Sequence, residues 1–193
     1  MDYFTADVHA FHEKIIKYSK RPFNDLQHMH DEIINNWNRY TSKDDNIWVV
    51  GDFVYPLSGP YAQKKFEFVK SLNGHIHVVL GDHDTSADFY RHCGINVHKD
   101  VYVIDRRRED KPSIALCHWP IRIWPRSHYG AWHLFGHIHN NNRTKPFDEY
   151  YKSFNVGMDV WDYQLVSLNQ VTEKMGQCQE NPNFIPEEKR RKS

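Results

Sequence analysis

Aspartate and histidine collect in five short clusters along this chain: Asp7-Val8-His9, Gly51-Asp52, Gly81-Asp82-His83-Asp84, His118-Trp119-Pro120 and Gly136-His137-Ile138-His139. His137 and His139 stand two apart, whereas a metal-binding helix spaces its histidines by about three or four so that they share one face. Spacing by two suits a strand end or a tight loop, where backbone curvature must gather the side chains. Carboxylate oxygens and imidazole nitrogens are ligands for divalent cations. Asp7, His9, Asp52, Asp82, His118, His137 and His139 together exceed what one tetrahedral zinc takes. They suit two divalent ions that share a bridging carboxylate and keep open positions for water and substrate. Two ions roughly 3.5–4 Å apart clamp a phosphoryl group during in-line hydrolysis. His83 is left outside that set, and a histidine beside such a centre can protonate a leaving oxygen.

The elements that must position these clusters read as strands. Apolar runs at 3–6, 47–50, 75–80, 113–117 and 132–135 each run into one of the five clusters, several through a glycine that lets the chain turn sharply. In α/β sheets the carboxyl ends of strands are where sites are assembled. Leu26, Met29, Ile33, Ile34 and Trp37 recur at helical spacing over 24–40, with Asn24 as the expected cap. Pro60 is placed to open a helix carrying Phe66, Val69 and Leu72, which Asn73-Gly74 stops. A short helix near 86–93 and strands at 101–104 and 165–168 complete an α/β pattern of one domain over residues 1–172. Residues 173–193 are polar and read as a flexible tail.

Composition narrows the classes. Twenty-five basic and twenty-five acidic residues cancel, which excludes the strong basic footprint of a general nucleic-acid binder but not a nucleotide-sized substrate. Three unevenly spaced cysteines argue against a disulfide framework. No signal peptide or membrane span is evident, so a cytoplasmic setting is expected. Fourteen histidines are the compositional anomaly.

The ordered series D-x-H, GD, G-[ND]-H-[DE], H-x-P and G-H-x-H resembles the calcineurin-like metallophosphoesterase superfamily, over roughly residues 3–168. The flanking stretches "YFTADVHAFHEKIIKYSKRPF" and "FNVGMDVWDYQLVSL" are similar to its small single-domain, cytosolic or phage-type members. The resemblance implies a four-layer α/β/β/α sandwich with the metals at the strand ends. It implies that Asp7, His9 and His139 bind one ion, Asp82, His118 and His137 the other, and that Asp52 bridges. His83 would then contact the scissile phosphate and serve as the general acid, with Asp84 orienting it. Manganese is the expected metal, with iron, nickel, magnesium and zinc as alternatives. The sequence departs from the family at Asp82, where the family usually has Asn; the extra charge should tighten metal binding and weaken the ions as Lewis acids.

Other residues carry weaker signals. His12, Arg21 and Arg143 are candidates for phosphate contact, against capping, salt-bridge or loop roles. Trp119 and Trp124 fit either an aromatic wall for a base or rim packing, and Arg106-Arg107-Arg108 reads as a solvated hairpin. The function expected is hydrolysis of a phosphodiester by metal-bound hydroxide, on a small, nucleotide-like phosphate ester and in a monomer or dimer. Monoester hydrolysis of nucleotides or sugar phosphates is the alternative. A silent scaffold of the same fold is the rival from another class, opposed by the retention of His83.

Overall fold

A computed structural model describes residues 1–56, 61–84, 87–140 and 151–190. Among them the chain runs β1 (Asp2–Thr5), α1 (Glu13–Tyr18), α2 (Leu26–Tyr40), β2 (Asn46–Val50), α3 (Ala62–Ser71), β3 (His75–Val79), α4 (Asp88–His92) and β4 (Asn96–His98). It continues through β5 (Val101–Ile104), β6 (Ile114–Cys117), β7 (Trp132–Phe135), β8 (Ser153–Asn155), β9 (Val166–Ser167) and α5 (Leu168–Gln177). The strands form two mixed sheets, ordered β4-β3-β2-β1-β9 and β5-β6-β7-β8. Strands β1 to β4 are mutually parallel with β9 antiparallel at the edge; β6, β7 and β8 are parallel with β5 antiparallel.

Strand β2 shows why the sequence is apolar without alternation. Ile47 and Val49 face one core with Met29, Ile33 and Trp37 of α2, Phe68 of α3 and Tyr90 of α4. Trp48 and Val50 face a second core, between the sheets, with Ile114, Leu116, Leu134 and Phe154. A strand buried on both faces must be apolar at successive positions. In α2 the buried apolar residues Met29, Ile33 and Trp37 fall at i, i+4 and i+8, and the Trp37 indole donates to the Asn73 carbonyl at 2.9 Å. Truncating Trp37 to Ala would cost roughly 3–5 kcal/mol. On the outer face of the second sheet, Trp124 packs on Ala115 and Ala131, so Trp124 is core rather than a wall for a base.

Several boundaries differ from the sequence reading. The cap of α2 is Asp25 rather than Asn24; its carboxylate accepts from the His28 N–H at 2.8 Å. The expected strand at 165–168 shrinks to β9, because Ser167 instead caps α5 in a reciprocal box with Gln170. That helix crosses the expected domain boundary at 172. Only Val171 and Met175 seal its buried face, too few apolar residues to mark a helix in a polar stretch. Beyond it Asn181 is buried and donates to the Ser127 and Ala131 carbonyls, so the expected tail is packed at least to there. Pro60 lies outside the described residues. No helix among the described residues is long and apolar enough to cross a membrane.

Candidate metal centre

Parallel pairing sends the carboxyl ends of β1, β2 and β3 to one side, and those of β6 and β7 to the same place. Each of the five clusters begins within three residues of its strand's last residue. The chain then folds back on itself there. Asp7, His9, Asp52, His137 and His139 all have positive φ, between 48° and 72°. Such backbone costs of order 1 kcal/mol or more per residue, although Asp and His tolerate it better than most. This is the curvature that the two-residue spacing of His137 and His139 demanded. Gly51 is required for closeness: a Cβ built there would lie 2.1 Å from His118 Nδ1.

The gathered side chains form overlapping clusters: Asp7 with His9 and His139; Asp82 with His118 and His137; Asp7 with Asp52 and His118; Asp52 with Asp82 and His83. Asp52 sits between the two trios, its Oδ2 3.4 Å from both His9 Nε2 and His118 Nε2. On the exposed side Asp82 Oδ1 lies 3.0 Å from His118 Nε2 and 3.2 Å from His137 Nδ1.

The hydrogen bonds behind these residues decide which atoms face inward. His118 Nδ1–H donates to the Val50 carbonyl at 2.9 Å, which turns Nε2 toward the carboxylates, where a cation would take the place of its proton. His139 Nδ1–H donates to Asp159 Oδ2 at 2.6 Å, with the same consequence. His9 Nε2 is buried and has no hydrogen-bond partner. An orphaned imidazole nitrogen beside buried carboxylates fits a cation, whose coordination would remove the cost of leaving it unpaired.

The electrostatics agree. Burial, with repulsion from Asp52 beside it, raises the Asp7 carboxyl above its usual range. Burial opposes charge on His118, but hydrogen bonding and attraction from Asp52 outweigh it and push that imidazole up to about 9. Burial strongly lowers His9, helped by the neighbouring His139 and Arg21. A site of buried like-charged carboxylates and imidazoles is under strain that divalent cations relieve.

Two expectations are corrected. Arg21 does not face the cavity. It is buried, pairs with Asp159 through Nε at 2.8 Å and Nη2 at 2.9 Å, and donates to the backbone carbonyls of Asp7 and Val8. Every guanidinium nitrogen is thus engaged in holding the loop that carries Asp7 and His9. Nor does Asp84 orient the His83 ring. Its buried carboxylate accepts from the backbone N–H of Gly81 (2.9 Å), Asp52 (2.8 Å) and Phe53 (3.3 Å) and from the Tyr90 hydroxyl, so it pins the ends of β2 and β3 together. His83 is held by its own N–H, which donates to Asp52 Oδ1 at 3.0 Å.

A cavity of about 850 Å³ opens beside the cluster, lined by His9, His12, Tyr18, His83, His137 and His139 among others. Trp119 stands on the other flank, its ring 6.3 Å from that of His137. Arg143 lies outside the described residues. Asp159 and Asn155, whose amide donates to the His139 carbonyl, carry no spacing signal in the sequence beyond their nearness to Gly157.

The clustered His and Asp residues could hold metal, and the chain is a distant homologue of a calcineurin-like phosphoesterase. It is 31% identical over 169 residues, 86% of each chain, to an uncharacterized protein of Methanocaldococcus jannaschii. It is 29% identical over 118 residues to the symmetrical bis(5'-nucleosyl)-tetraphosphatase of Buchnera aphidicola, a match spanning 61% of this chain but only 36% of that enzyme. A protein of unknown function from Aquifex aeolicus superposes with a TM-score of 0.70 at 19% identity, over 90% of this chain and 98% of its own. No family model matches the chain.

Proposed function

We propose that this protein is a binuclear, divalent-metal-dependent phosphodiesterase built as a single-domain four-layer α/β/β/α sandwich. The carrying observation is the convergence of the buried Asp7 and Asp52 with His9, whose Nε2 is buried without a hydrogen bond, and with His118 and His139, whose Nδ1 atoms are tied back to Val50 and Asp159. In this reading Asp7, His9 and His139 hold one ion, Asp82, His118 and His137 the other, and Asp52 both. When bound, the ions supply Lewis acidity and lower the pKa of water. The chain itself supplies the proton for the leaving oxygen from His83, whose ring lines the cavity 5.2 Å from that of His9. A cleft left open by the described residues suits diesters. The tetraphosphatase relative makes nucleotide-like esters the first substrates to try.

Metal analysis of manganese-saturated protein, followed by a panel of chromogenic diesters and monoesters, tests this. Two ions per chain and faster diester hydrolysis are expected. One ion or fewer refutes the binuclear centre, and hydrolysis of monoesters alone refutes the diester assignment.

A further inference from the structure

We infer that His12 is a further substrate-contacting residue, a neutral imidazole whose Nε2–H donates to a phosphoryl oxygen in the cavity; this rests on the phosphoesterase reading above. The inference starts at His9. Its Nε2 lies 3.4 Å from Asp52 Oδ2, buried and without a hydrogen bond, and is the nitrogen that faces the carboxylates. To offer a lone pair there, the ring must carry its proton on Nδ1. His9 Nδ1 faces His12 Nδ1 at 3.4 Å. Two protons or two lone pairs cannot meet across that gap, so His9 donates and His12 Nδ1 accepts. A neutral His12 then carries its one proton on Nε2.

That nitrogen has no hydrogen-bond partner among the described residues, and the His12 ring lines the cavity opposite His83, with centroids 6.0 Å apart. The ring is held from behind. The His12 N–H donates to the His9 carbonyl at 3.1 Å, and the Tyr55 ring packs against the imidazole at 4.7 Å between centroids. A cation on His9 Nε2 would enforce this proton arrangement, so loading the centre also sets the donor. A preorganised N–H of this kind, aimed where charge develops on a phosphoryl oxygen, is worth about 10²–10³-fold in kcat in comparable sites.

The test uses the full chain with His12→Leu, which can neither accept nor donate, and His12→Gln, whose amide can do both. Each is loaded with manganese. Three quantities are measured: metal content, the Kd for inorganic phosphate by calorimetry, and kcat/KM on a chromogenic diester. His12→Leu is expected to keep the wild-type metal content, to bind phosphate about 10-fold more weakly and to lose about 10²–10³-fold in kcat/KM. His12→Gln is expected to recover most of the phosphate affinity. Unchanged phosphate affinity in a loaded His12→Leu protein overturns the assignment and leaves the phosphoesterase reading intact. Metal loss in step with phosphate affinity also overturns it, since His12 would then only support His9. A wild-type protein that takes up no manganese overturns both.

Discussion

Replacing Asp159 by Asn separates two jobs that one buried carboxylate performs. Asp159 Oδ2 accepts from both His139 Nδ1 and Arg21 Nη2, and Oδ1 accepts from Arg21 Nε. An amide oxygen can replace only one of these atoms. The amide NH2 at the other must face a donor, so at least one hydrogen bond becomes a clash. The larger loss is charge. The Arg21 side chain is 0% exposed and that of Asp159 2%, so the substitution leaves a buried guanidinium without its counter-charge. Breaking a buried pair from one side costs about 3–5 kcal/mol, a large share of a typical stability of about 5–15 kcal/mol. In urea unfolding with chelator present, Asp159→Asn should therefore lower stability by roughly that amount. His139 should also become a poorer ligand, because the carboxylate that fixes its ring and raises its basicity is gone; such changes weaken metal affinity by roughly 10–100-fold. Competitive manganese titration reads this second effect, and one ion should be lost before the other. A stability change under about 1 kcal/mol together with unchanged affinity for both ions would refute the reasoning.

Three further outcomes are expected. His83→Ala should retain two ions and lower kcat by about 10²–10⁴-fold, with a smaller loss on nitrophenyl esters, whose leaving group needs little protonation; an equal loss on every leaving group would rule out the acid role. Asp82→Asn should release manganese faster on dialysis but raise kcat/KM at saturating metal, because a carboxylate 3.0 Å from His118 Nε2 offsets part of the field that polarises the phosphoryl oxygens; a several-fold fall with both ions bound would show adaptation to the carboxylate. Burial holds His30 and His133 neutral, with both pKa values lowered from 6.5 to about 4. The unfolded chain therefore takes up protons that the fold refuses, and their stabilisation, complete above pH 6.5, drains away as pH falls toward 4. That lowering amounts to at most ~3 kcal/mol for each residue. His133→Gln should flatten the pH 5–7 stability slope by up to one proton in chelated protein, and an unaltered slope would contradict the buried neutral imidazole.

What the sequence by itself determined was the inventory of the site. Few side chains bind divalent cations, and those that do stood at the ends of apolar runs, so residue type and position sufficed to nominate Asp7, His9, Asp52, Asp82, His118, His137 and His139. The apolar runs of β2 and β3 were legible because strands buried on both faces have no polar positions to interrupt them. What only the tertiary structure decided was the support. Arg21 and Asp159 lie 138 positions apart, and nothing local in either stretch announces a guanidinium turned inward to hold a carboxylate behind His139. Asp84 was misjudged for the same reason: adjacency to His83 suggested a partner, whereas the fold delivers two backbone N–H groups from the end of β2 and a tyrosine hydroxyl from α4, beside the N–H of Gly81 in its own turn. Which nitrogens of His118 and His139 face inward was likewise hidden, since an imidazole turns according to whichever acceptor the fold brings to its other nitrogen. Ligand identity is a property of one side chain, but its orientation belongs to the neighbours that folding supplies.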